Sequence, residues 1–319
     1  MGNQKENPKI NDLIFKELIK RGYSLDGNTR IWNIADSKLW YLTPGQAQAY
    51  LDLEDEKEYK KQVTQKEIDL INGNINEIIN KFGNEPINII DIGCGDGRKA
   101  EIFIKNFKNH RIRYCPIDIS SYMVNKALEK LKYIESVEEV VKFQWNISDF
   151  ENIENISFLL RQGEYKRNLF LLMGNTLGNF EINELLYTIR SSMKDGDFLL
   201  IGNGLDNRNQ TDILRSYDND LFKDFSIQPV TQLGIDKNDL KFGVRFQNSR
   251  VESFFTITKS QEIKFLDRKV LLEKGDQIVV VVSYKYNKSD FKSFLNLYFD
   301  DVMINISEDD SYALALCKK

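Results

Sequence analysis

The sequence predicts an open α/β fold on a doubly wound parallel sheet, with an accessory α+β region attached. Three observations carry this. Residues 87–97 read Ile-Asn-Ile-Ile-Asp-Ile-Gly-Cys-Gly-Asp-Gly, an apolar strand running into a glycine-rich turn. Strand-like and helix-like segments alternate from there to about residue 202. Polar marks at 93–97, Asp118, Asp149 and 175–179 each follow the carboxyl end of a predicted strand, the edge where open α/β sheets bind ligands.

The elements follow in order. A helix presents Ile68, Ile71, Ile75, Ile78 and Phe82 at helical spacing, opened by Thr64 and Glu67 as a capping box. Phe82-Gly83-Asn84 ends it, and Pro86 leads into the first strand. The second strand spans 111–119 and ends at Asp118; Ser120 caps a helix with Val124, Ala127, Leu128 and Leu131 on one face. The third strand is placed near 142–146, ahead of Asp149-Phe150. The fourth, 168–173, opens onto Gly174-Asn175-Thr176-Leu177-Gly178-Asn179-Phe180. A helix over 181–193 leads through Lys194-Asp195-Gly196 to the fifth strand at 197–202. Beyond Leu205, segments 242–257, 262–272 and 277–286 read as an antiparallel insert. A helix over 290–299 and strands at 302–306 and 312–317 close the chain. The organisation expected is a sheet domain of 63–206 plus 285–319, and an accessory substrate-binding domain of 1–62 plus 207–284.

Composition narrows the function. A chain of 319 residues with 41% hydrophobic content builds one large or two moderate domains. No apolar run is long enough to span a membrane, and no signal-peptide core opens the chain. Three widely spaced cysteines, Cys94, Cys115 and Cys317, predict a reducing, cytoplasmic compartment. The single histidine, His110, reads as an exposed loop residue, and without partners of ligand spacing no metal site is expected. A net charge of −4 with dispersed lysines offers no track for a nucleic-acid backbone.

A dinucleotide site calls for G-x-G-x-x-G. Here Gly93, Gly95 and Gly97 are spaced G-x-G-x-G, and Arg98 stands where the third dinucleotide glycine belongs. That spacing, opened by Asp91, resembles the first motif of class I S-adenosylmethionine-dependent methyltransferases. From about residue 39 to 319 the chain resembles a narrower group, the histidine-specific S-adenosylmethionine-dependent N-α-methyltransferases, which include the ergothioneine-pathway enzyme. The most specific match is the block 171–180, similar to the family's G-[ST]-T-[IL]-G-N signature with Asn175 in place of Ser or Thr. The resemblance implies a class I methyltransferase Rossmann-like sheet, whose closing antiparallel strand pair fits 302–317.

The resemblance also implies site residues. Gly93, Gly95 and Lys99 meet the cofactor S-adenosylmethionine, Asp118 takes its ribose hydroxyls, and Asp149 with Phe150 lies by its adenine. A carboxylate accepts two hydroxyl hydrogen bonds, so Asp118 suits the task. Gly174 and Asn179 belong to the acceptor's surroundings. Tyr41 and Tyr59 hold the amine, Tyr59 lying in a charged stretch that also reads as a solvated helix face. Tyr217 joins Asn179 on the acceptor's carboxylate.

One departure bears on specificity. The family reads imidazole with Glu-Val-Ser; here the segment is Val281-Val282-Ser283. Strand alternation puts Val281 and Ser283 on one face, so the pocket keeps a hydroxyl and lacks the carboxylate. Either the acceptor is not histidine, or another acid such as Glu252 or Asp267 supplies the charge. The expected activity is N-methylation of an amino acid or related small amine. The alternatives are an inactive cofactor-binding member and a methyltransferase of another small acceptor. A dehydrogenase is disfavoured by Arg98, and a nucleic-acid methyltransferase by the proline-free fourth-strand loop. Oligomeric state is not legible.

Overall fold

The computed structural model describes residues 11–108, 110–148, 150–207 and 210–319. The chain forms two compact units, Met1–Tyr41 with Arg208–Ser283, and Leu42–Asn207 with Tyr284–Lys319.

The larger unit is built on a seven-stranded sheet: β1 (Ile87–Ile92), β2 (Ile112–Ile117), β3 (Val137–Val140), β4 (Arg167–Leu172), β5 (Phe198–Gly204), β6 (Asp301–Ile306) and β7 (Tyr312–Lys318). Their order across the sheet is β6-β7-β5-β4-β1-β2-β3. β1 to β5 run parallel, and β7 lies antiparallel between β5 and β6. Order reverses at β1, the first strand laid down, so β1 and β4 flank the crevice where such sheets bind ligands.

Every residue of β1 is buried, as a strand covered on both faces requires. Ile87 and Ile89 join one core with α2 (Gln65–Asn80), α3 (Arg98–Ile104) and α4 (Ser121–Leu131). Ile90 and Ile92 join the other with α5 (Ile153–Leu160), α6 (Ile182–Ser192) and α7 (Lys288–Tyr298). Preceding these is α1 (Pro44–Asp55), whose Ala47 and Leu51 pack on Met123 of α4. That packing, and a full capping box between Thr43 and Gln46, place residues 42–62 in the larger unit rather than with the accessory region.

Three further local expectations are corrected. Residues 144–146 form a 3₁₀ turn, and the third strand is Val137–Val140. The Asn146 amide donates to Pro116 O at 2.5 Å and Val141 O at 3.3 Å, replacing ladder bonds with side-chain bonds. Thr64 is not a helix cap: the chain is already helical from Lys57, through a π turn at Lys60–Thr64. His110 is buried, edge-on to Phe107, with Nε2 against the Gly83 carbonyl.

The smaller unit holds a five-stranded sheet ordered Tyr23–Asp26, Thr29–Asn33, Gln277–Tyr284, Arg250–Ile257, Leu240–Gln247. A separate ribbon pairs Gln261–Phe265 with Arg268–Leu272. The sheet is not wholly antiparallel, because Gln277–Tyr284 pairs parallel with Thr29–Asn33.

Candidate functional site

The glycine turn leaves β1 with Gly93, Gly95 and Gly97 all left-handed, at φ of 69°, 52° and 77°. The N–H groups of Gly93 and Cys94 both donate to Ile117 O, at 2.8 and 3.1 Å, tying the turn to the end of β2. Asp118 then accepts from Gly95 N at 3.1 Å and Ser120 N at 2.9 Å. Burial pushes its carboxyl up to about 6, against the pull of those N–H groups. Beneath the turn, Tyr114 donates to Asp91 at 2.6 Å, and burial pushes Asp91 up to about 7.

The segment after β3 closes on the same corner. Asp118 N donates to Asn146 O, and Ser148 N donates to Asp118 O. Phe150 follows, its ring 4.9 Å from that of Phe180. Asp149 lies outside the described residues.

The loop after β4 supplies the next groups. Gly174 has φ 70°, a backbone that favours glycine, and a Cβ there would sit 2.3 Å from Lys99 Nζ, so the lysine would have to shift to make room. Asn175 also has positive φ, 62°, and its Oδ1 accepts from Gly204 N. Asparagine tolerates that backbone better than Ser or Thr, which gives the departure at this position a conformational reason. A 3₁₀ turn, Thr176–Asn179, carries Asn179 to a partly exposed position where its side chain makes no hydrogen bond to a described residue.

Lys99 stands in the first turn of α3. Its Nζ donates to Glu54 Oε1 at 2.7 Å and lies 3.6 Å from Glu67 Oε2. Burial lowers its proton affinity, but the Glu54 and Glu67 carboxylates outweigh that and hold it above the usual lysine value. Tyr59 is partly buried, and it acts electrostatically on Lys99 together with the Glu54 and Glu67 carboxylates.

In the smaller unit, Tyr217 donates its hydroxyl to Ser283 Oγ at 3.1 Å. Aromatic contacts run from Tyr217 to Phe222 (5.1 Å between centroids), to Phe225 (6.2 Å) and to Tyr41 (6.2 Å). Trp40 anchors this run, Nε1 donating to Val280 O at 2.7 Å. Val281 is buried, and Ser283 is partly exposed. The two acids considered as a replacement for the missing glutamate stand in different surroundings. Glu252 is 2% exposed and held by Arg245 at 2.7 Å and Arg250 at 2.6 Å, and Asp267 is exposed at the turn of the ribbon.

The family model described as histidine-specific methyltransferase, SAM-dependent, matches residues 35–319. The chain belongs to this family. It is a methyltransferase of the class I fold, and its cofactor is S-adenosylmethionine. No curated protein matches it. Among solved structures, it is similar to an S-adenosylmethionine-dependent methyltransferase from Clostridium acetobutylicum at 12% identity, covering 85% of this chain and 98% of that one, with a TM-score of 0.44. It is similar to a Pyrococcus horikoshii protein at 15% identity (83% and 94% covered, TM-score 0.43). Magnesium protoporphyrin IX methyltransferase from Synechocystis, solved with bound SAH, is 11% identical (85% and 93% covered, TM-score 0.43).

Along the methyltransferase's sheet edge the charges sort: Asp118 beyond β2, Lys99 across the loop from β4. Asp118, Lys99, Tyr217 and Ser283 were each named from the sequence, the last two without the hydrogen bond between them. Sequence reasoning missed Glu54 as a partner of Lys99, Phe180 as the neighbour of Phe150, and Glu67, read as a cap. The only available signal for Glu67 was its spacing of three and four residues from Leu70 and Ile71, which puts it on the apolar face of its helix. Among the described residues, no helix of the methyltransferase is long and apolar enough to cross a membrane.

Proposed function

We propose that this methyltransferase acts on the amine nitrogen of an amino acid or related small amine. The observation that carries the reading is the gathering of Gly95, Asp118, Phe150, Lys99, Gly174 and Asn179 around the turn and loop that end β1 and β4. The donor set fits the cofactor. Asp118 offers carboxylate oxygens to two ribose hydroxyls, and Phe150 with Phe180 offers apolar faces to a purine. Lys99 offers an ammonium to the cofactor's carboxylate. Gly93 and Gly95 expose backbone where side chains would stand, and Asp149 is assigned to the adenine corner by its place beside Phe150.

The cofactor supplies an already activated methyl group, so the protein's work is orientation and exclusion of water. The amine must present a lone pair, and desolvation beside a positive centre favours its neutral form. The family resemblance gives the amine to Tyr41 and Tyr59. It gives the carboxylate to Asn179, whose side chain makes no hydrogen bond to a described residue, and to Tyr217, while Gly174 shapes the loop around Lys99. Val281 gives the side-chain pocket an apolar wall beside the Ser283 hydroxyl. With Glu252 committed to two arginines, that wall favours a larger aromatic or aliphatic side chain over imidazole.

The test is mass-spectrometric detection of S-adenosylhomocysteine release across a panel of histidine, tryptophan, aliphatic amino acids and simple amines. Turnover highest with an apolar amino acid, and a KM for it raised about tenfold in Asn179→Ala, is the expected result. Cofactor binding without release on any member of the panel would end this reading in favour of an inactive member or of an acceptor of another class.

A further inference from the structure

We infer that Glu67 is a positioning residue that holds Lys99, and the backbone of Gly174 it crosses, in place for the amino-acid end of the cofactor. This rests on the reading of Lys99 as the group that meets the cofactor's carboxylate.

Glu67 is fully buried in the first turn of α2. Its Oε1 accepts from Gly174 N at 2.9 Å and from the hydroxyl of Tyr312 at 2.8 Å. Tyr312 is itself fully buried. Glu67 Oε2 has no hydrogen-bond partner among the described residues and faces Lys99 Nζ at 3.6 Å. A Cβ on Gly202 would lie 1.8 Å from Glu67 Oε1, so β5 leaves room for the carboxylate by carrying no side chain there. One carboxylate thus links α2, the loop after β4, β5, β7 and α3.

Packing alone does not call for this. Ile71, Ile75 and Ile78 already seat α2 on the sheet, and an apolar residue of similar volume at 67 avoids the desolvation cost of a buried charge. What a carboxylate adds is the ability to hold a cation and two donors at once.

Lys99 has two acidic partners with different freedom. Glu54 sits on α1, 5% exposed, and makes the closer contact. Glu67 is locked by Gly174 and Tyr312. An anionic ligand group arriving at Lys99 competes with Glu54, the partner at the end of its helix. Glu67 keeps the ammonium charged and aimed across Gly174 throughout the exchange.

The experiment is calorimetry with two nucleosides, S-adenosylhomocysteine and 5′-methylthioadenosine, which lacks the amino-acid end. Glu67→Gln keeps the shape and an acceptor for Gly174 and Tyr312 but removes the charge facing Lys99. It is expected to weaken S-adenosylhomocysteine about tenfold and leave methylthioadenosine unchanged. In a Lys99→Met background the same substitution is expected to add nothing. Equal losses for both nucleosides, or undiminished affinity for S-adenosylhomocysteine, would overturn the inference alone. A wild-type protein that bound neither would overturn the cofactor site and the inference with it. Should Glu67→Gln not fold, Tyr312→Phe removes one of the two donors with the backbone intact. It must show the same ligand selectivity at smaller size, or the inference is wrong.

Discussion

Gly95 donates its backbone N–H to Asp118 Oδ2 at 3.1 Å, so the glycine turn and the acid that ends β2 form one hydrogen-bonded unit. Burial raises the Asp118 carboxyl from 3.8 to about 6. The folded chain therefore holds a proton that the unfolded chain has lost between those values. This group's contribution to stability falls as pH rises through that window. Hydroxyl donors favour the ionised form, so cofactor affinity moves the other way. Affinity for S-adenosylhomocysteine is expected to be about tenfold weaker at pH 5 than at pH 7.5, with an inflection near the Asp118 value. Asp91 titrates nearby, at about 7, but is bonded to Tyr114 and remains in Asp118→Asn. A flat profile from pH 5 to 6.5 in that variant, with weaker binding throughout, assigns the inflection to Asp118. An unchanged profile takes Asp118 out of the site.

Gly174→Ala brings a Cβ to 2.3 Å from Lys99 Nζ on a backbone at φ 70°. The left-handed strain alone costs roughly 1–2 kcal/mol. The lysine must also swing aside. The expected outcome is a lower melting temperature together with weakened binding of S-adenosylhomocysteine. A variant that lost stability yet bound as tightly as wild type would show that Lys99 does not serve the cofactor from its present position.

Tyr217→Phe removes the donor to Ser283 and leaves the contact with Phe222 in place. Steady-state kinetics on the preferred acceptor are expected to show a KM raised about tenfold and unaltered affinity for S-adenosylhomocysteine. No change in KM would remove Tyr217 from acceptor binding.

Glu252→Ala leaves Arg245 and Arg250 without the carboxylate they share. Both arginines keep about a quarter of their side-chain surface in solvent, so the loss is smaller than for a fully buried pair, about 2 kcal/mol by urea denaturation. Acceptor preference is expected to stay as in the wild type. A shift in preference would make Glu252 the acid that reads the acceptor's side chain.

The strands of the parallel sheet were readable because buried strands and amphipathic helices leave different periods in the residues themselves. Ile87 to Ile92 and Asn168 to Leu172 could be placed within a residue of their ends. Asp118 was readable as the residue that directly follows such a strand, whereas Asn179, seven residues past β4, was named by the family resemblance. The third strand was misplaced because the Asn146 side chain meets carbonyls that a strand at 142–146 would have paired. The role of Glu67 was hidden for a similar reason: Thr-x-x-Glu has a local meaning as a cap, and nothing local contradicts it.

The sequence by itself determined the open α/β sheet, its glycine turn and the order of polar marks along its ligand edge. These depend on residues within a few positions of one another. Tertiary structure alone decided that Glu67 meets Gly174, 107 positions away, and Tyr312, 245 positions away. It alone decided that Tyr217 meets Ser283, and that Gln277–Tyr284 pairs parallel with Thr29–Asn33. The physical reason is that long-range hydrogen bonds and buried charges take their partners from whichever elements the cores bring together. No periodicity or spacing in the chain encodes that choice.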